Sequence, residues 1–163
     1  MLRFTRESVD LKSVEVDLAE GFQRLVRELL APELPGLSAF AAGGKDGGID
    51  LWSEGPPRAV VECKVVGVDT VPVVLARWRE TADHLRTHLA SPAGPTAGQA
   101  QYAPWYRTDR PIGRYLFCTS ALLAGLGQVD RVRDEISAFF QDLASWPHLA
   151  HLAGLAVDVR HWG

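Results

Sequence analysis

Two strand-like runs face each other across one strong turn, and that pairing limits what the chain can fold into. Ile49-Asp50-Leu51-Trp52 precedes Ser53-Glu54-Gly55-Pro56-Pro57, and Arg58 to Val66 follows it. Gly and Pro supply the dihedrals of a chain reversal, so the segment reads as a β-hairpin. On either side the apolar period becomes helical. Residues 13–30 place Val14, Leu18, Phe22, Leu25, Val26 and Leu29 on one face, with Ser13 or Asp10 as cap and Pro32 and Pro35-Gly36 as stop. Residues 71–90 place Leu75, Trp78, Ala82, Leu85 and Leu89 on one side.

Arg114 to Ser120 reads as a further strand, 128–143 as a helix and 155–160 as a last strand. With the short apolar run 38–44 counted, the order is helix, three strands, helix, strand, helix, strand. That order predicts an α/β fold with a central mixed β-sheet flanked by helices. The Pro/Gly/Ala-rich stretch 91–113 reads as a long connection, of the kind used for lids or mobile segments. A length of 163 residues suits one domain over 1–163, and the ending just after a strand also suits a fragment of a larger chain.

Composition removes several classes of function. The charge of −3 leaves no global basic field for nucleic acid. Residues 1–70 carry 8 basic and 12 acidic groups, net −4, and residues 71–163 carry 9 and 8, net +1. A polyanion therefore needs a local basic patch or metal ions on acidic groups, and one such domain alone is expected to bind DNA weakly. Cys63 and Cys118 belong to no CxxC pair, which disfavours a disulfide scaffold or zinc ribbon and suits free thiols in a reducing compartment. The charged N-terminus lacks the apolar core of a signal peptide, and no apolar run is long enough to span a membrane. The expected location is cytoplasmic.

The chemistry gathers in Gly44-Lys45-Asp46-Gly47-Gly48-Ile49-Asp50 and Val60-Val61-Glu62-Cys63-Lys64. If the hairpin turns about Pro56, Asp50 stands opposite Glu62 and Gly48 opposite Lys64. Side chains alternate along a strand, so Glu62 and Lys64 share a face. Opposed residues have Cβ atoms ~5 Å apart, which brings two carboxylates and an ammonium together. Paired carboxylates repel unless a cation sits between them, and a hard divalent ion is the natural occupant. Such an ion polarises a phosphoryl oxygen and acidifies water, while Lys64 could orient that water or offset charge on the transition state. The glycines would let a nucleic-acid strand come close.

GGKDGGID, a turn and VVECKVV together resemble the PD-(D/E)xK nuclease superfamily, especially the Mrr-like restriction endonucleases. The motifs lie within residues 43–66, and the order of elements agrees over roughly 13–160. The resemblance implies a restriction-endonuclease-like fold and a Mg²⁺-dependent endodeoxyribonuclease acting on double-stranded DNA, with Mn²⁺ as a substitute. It implies Asp50 and Glu62 as metal ligands, the Cys63 backbone carbonyl as a further ligand, and Lys64 as assistant to the attacking water. Gln23 stands after Phe22 where these families often carry a glutamate, giving it an accessory place; Glu20 points away from the apolar face. The resemblance also suggests a regulated bacterial antiphage defence effector, acting as a homo-oligomer or tethered to a sensor or NTPase domain.

Other residues have plainer readings. Asp46 suits a turn. His84 and His88, four apart on a helix, could clamp a metal but show no third ligand, so a solvated or half-buried face is the simpler reading. His148, His151 and His161 read as surface residues, and Ser120 lacks the elbow of a hydrolase nucleophile. Trp78 reads as core. Lys45, Arg77, Arg79, Arg107 and Arg110 are candidate nucleic-acid contacts, and the amides and aromatics of 99–106 suit either a nucleic acid or a docked protein. Two alternatives remain open: a non-catalytic docking module on a nuclease fold, and an RNA-directed nuclease.

Overall fold

The computed structural model describes residues 18–40 and 47–161. Five strands form one sheet: β1 (Ser38–Ala39), β2 (Leu51–Ser53), β3 (Arg58–Lys64), β4 (Ile112–Thr119) and β5 (Ala156–Arg160). Their order across the sheet is their order in the chain. β1, β2 and β3 are antiparallel neighbours, whereas β3, β4 and β5 run parallel. Parallel neighbours need crossovers, and helices supply them. The α/β architecture with a mixed sheet therefore follows the predicted order. The expected cap residues of the first helix, Asp10 and Ser13, lie outside the described residues.

Helix α1 (Leu18–Leu30) covers one face of the sheet. Its Phe22, Val26 and Leu30 pack with Leu51, Val61, Leu116 and Cys118. Helices α2 (Val71–His88) and α4 (Gln128–Ala144) cover the other. Pro72 in the first turn of α2 costs nothing because that N–H has no helical partner, and Arg86 and His88 suit the negative end of its dipole. Trp78 is 1% exposed and lies edge-on to Tyr115, Phe117 and Phe139, with ring centroids 5.4–6.0 Å away. β3 is thus buried on both faces. Val60 faces α2 and Val61 faces α1, which explains an apolar run rather than simple alternation.

The stretch 91–113 differs from the expected lid. It contains a 3-10 turn (Ala100–Tyr102) and a short helix α3 (Ala103–Tyr106) that enter the core. Trp105 is fully buried and stacks on Phe140 at 5.6 Å. His148 and His151, expected at the surface, are half-buried; their Nε2 atoms lie 2.7 Å from the carbonyls of Leu89 and Trp105. His161 is half-buried too, its Nδ1 accepting from the Leu123 amide. These rings pair with backbone carbonyls and an amide that would otherwise be left without partners. Among the described residues, no helix is long and apolar enough to cross a membrane.

Candidate active site

The hairpin register places the site. Leu51 pairs with Val61, Trp52 with Val60 and Ser53 with Ala59, the register that a turn about Pro56 predicts; the ladder ends at Leu51, and Asp50 is tied to β3 by its own bonds. Asp50 N donates to Val61 O at 3.0 Å, and Asp50 O accepts from Phe40 N at 3.0 Å and Gln23 Nε2 at 2.8 Å. Gln23 therefore reaches the site from α1, holding the Asp50 backbone. The Asp50 carboxylate turns toward β3, where Oδ2 accepts from Cys63 N at 2.6 Å. In a strand, a residue's N–H and C=O point to the same edge, so the Cys63 carbonyl opens on the side where Asp50 stands.

Glu62 is 2% exposed, yet carries an acid. Its Oε1 meets Lys64 Nζ at 2.7 Å and accepts from Thr81 Oγ1 at 2.7 Å. Its Oε2 is buried and accepts no hydrogen bond among the described residues. Burying half a carboxylate without a donor is costly, so that oxygen calls for a cation or donor beyond the described residues. Cys63 lies between the two acids. Burial first, then Cys118, Asp50 and Glu62, push its thiol well above the ordinary range. It stays protonated and is no nucleophile.

A cavity of about 440 Å³ opens at Glu62 and Lys64. Thr81, His84 and His88, one stripe of α2, form one side. Gly47 and Gly48 face Gln99, Gln101 and Tyr102 across it. Both glycines have positive φ, +63° and +76°. A Cβ on Gly47 would stand 2.4 Å from Gln101 O, so only glycine lets the two backbones meet. Trp105 Nε1 donates to Gly47 O at 2.9 Å and fastens the contact.

Asp50, Glu62, Lys64, Gln23 and the Cys63 backbone thus come together. The candidate nucleic-acid contacts do not. Arg79 makes two hydrogen bonds to Glu135, at 2.7 and 3.1 Å, on the α2–α4 groove, and Arg77 pairs with Glu80. Arg107 pairs with Asp109, and holds that carboxyl down to about 2. Arg110 pairs with Glu54 and gives its carbonyl to Arg58, at the far end of β3 from Lys64, ~20 Å away at strand rise. Lys45 and Asp46 lie outside the described residues.

Sequence reading missed Thr81, the direct partner of Glu62. Its only signal is a hydroxyl on the otherwise apolar side of α2, beside Trp78, Ala82 and Leu85. Tyr102 was included only within a loop of undecided role, and it is buried against His88, with ring centroids 4.5 Å apart.

Among the described residues, no group of three or more His, Cys, Asp or Glu side chains is gathered closely enough to hold a metal ion. The candidate donors are instead two carboxylates and a backbone carbonyl, from Asp50 just before β2 and from Glu62 and Cys63 on β3. All are hard oxygen donors, and Glu62 Oε2 has no partner among the described residues, so the set fits a hard divalent cation that keeps part of its water. No family model, curated protein or solved structure matches the chain.

Proposed function

We propose that this site hydrolyses phosphodiester bonds of nucleic acid, with a divalent ion held by Asp50, Glu62 and the Cys63 carbonyl. The observation that carries the reading is the Glu62 carboxylate: buried, with two hydrogen-bond donors on Oε1 and, among the described residues, none on Oε2. When bound, a Mg²⁺ or Mn²⁺ ion supplies Lewis acidity toward a phosphoryl oxygen and toward water.

The chain's own groups do the rest. Lys64, paired with Glu62 and 20% exposed, can donate to an incoming water or to a phosphoryl oxygen as negative charge grows. Thr81 fixes the direction of Glu62, and Gln23 fixes the backbone that aims Asp50. Water attacks phosphorus, the new P–O bond forms and the P–O bond to one sugar oxygen breaks in line; the attacking water loses a proton to solvent, and the leaving sugar oxygen takes one up from solvent. Double-stranded DNA as the substrate and service as a regulated defence effector rest on the family resemblance alone.

Cleavage of supercoiled plasmid with Mg²⁺ or Mn²⁺ tests this reading, with Asp50→Ala and Lys64→Ala alongside. Metal-dependent nicking or linearisation that both substitutions abolish is the expected result. Cleavage that survives both would remove these residues from the chemistry, and no cleavage together with no Mn²⁺ binding would remove the nuclease reading.

A further inference from the structure

The cavity beside Glu62 extends beyond what holding a phosphate requires. We propose that it receives one unpaired nucleobase next to the scissile phosphate, so the substrate is a single strand or a locally opened duplex. This rests on the nucleic-acid reading above and adds the state of the substrate to it.

Size is the first ground. About 440 Å³ lies within the range of pockets that bury one small ligand, about 300–1,000 Å³, which gives a base room to enter. The second is the chemistry of the walls. Gln99 and Gln101 bring amides, and His84 and His88 bring imidazoles, groups that can pair with the polar edge of a base. Gln99 Oε1 is buried and accepts no hydrogen bond among the described residues, so it lacks the N–H that a base edge carries.

The third ground is that the wall is already formed. The Gly47–Gln101 backbone contact and the Trp105 bond hold the 99–105 segment against the carboxylate strands, and the stacked Tyr102–His88 pair closes one side. A preformed pocket spares the cost of ordering it when the base arrives. Arg77, Arg79, Arg107 and Arg110 each sit in an exposed ion pair with a carboxylate, and none of them lines this cavity.

Fluorescence anisotropy tests the proposal without cleavage, using Ca²⁺ in place of Mg²⁺. Three labelled probes share one sequence: a single strand, a fully paired duplex and a duplex with one bulged base. The single strand and the bulged duplex should bind about tenfold more tightly than the paired duplex. His84→Ala and Gln101→Ala, each checked for unchanged thermal melting, should erase that preference. Equal binding of paired and bulged duplexes, or a preference that survives both substitutions, overturns the base pocket while leaving the nuclease reading intact. No binding of any probe overturns both.

Discussion

Thr81 on α2 donates to Glu62 Oε1 on β3 at 2.7 Å, the same oxygen that meets Lys64 Nζ at 2.7 Å. One carboxylate oxygen is saturated by two donors, and its twin is left for whatever occupies the cavity. A helix and a strand thereby set the aim of a single acid. Thr81→Val keeps the shape of the side chain and removes the donor. Its expected effect is a loss of about 10–100-fold in Mn²⁺ affinity by calorimetry, with Thr81→Ser close to the parent. Unchanged affinity in the valine variant would make the hydroxyl a packing detail.

Lys64 provides the positive charge beside a nearly inaccessible acid. Lys64→Met leaves Glu62 with Thr81 as its remaining donor, and should lower stability by ~2 kcal/mol in urea unfolding without metal. Mn²⁺ should recover part of that loss, because an ion bound only by the folded state stabilises it. A variant as stable as the parent would show that the ion pair contributes nothing to the fold.

Gly36 and Gly47 both have positive φ, +74° and +63°, but different surroundings. Nothing stands within 4 Å of a Cβ on Gly36, so Gly36→Ala carries only the left-handed penalty of ~1 kcal/mol. Gly47→Ala adds a collision with the Gln101 backbone and should cost at least ~2 kcal/mol. Urea midpoints of the two variants decide the point, and equal losses would mean that the corner yields freely.

Glu33 sits between Arg114 at 2.9 Å and Arg160 at 2.8 Å. Burial pushes its carboxyl up, but the hydrogen bonds and charges of the two arginines outweigh that and lower it. A folded pKa below the unfolded one stabilises the protein above the ordinary glutamate value, and that gain is lost as pH falls through the folded pKa. Glu33→Gln should therefore be less stable than the parent at pH 7, with the gap closing as pH falls below about 4.3. Denaturant titrations across that range measure it, and a gap that persists at the acid end would assign the effect to packing.

Much of the carboxylate pair was legible because strand geometry is periodic. The Pro56-centred turn fixed which residue stands opposite which, and alternation placed Glu62 and Lys64 together. Trp78 was legible for the same reason at helical period. The pocket was not. Its wall comes from 99–105, where Pro and Gly interrupt any period, and the burial of Tyr102 and Trp105 depends on partners far along the chain, Gly47 among them. The partners of the arginines were legible only in part, because an ion pair across two helices, such as Arg79 with Glu135, leaves no local mark. The histidines at 148 and 151 likewise serve carbonyls that only the fold brings near.

Because the sheet is laid down in chain order, the two acids belong to its early half and the pocket wall to the crossover between β3 and β4. A chain emerging from the ribosome N-terminus first has Asp50 and Glu62 in hand some forty residues before Trp105 can reach Gly47. Ligands for a cation are thus available during synthesis, but the enclosed chamber is completed only when the crossover docks. Assembly order itself keeps the half-made protein from having a finished chamber beside Glu62.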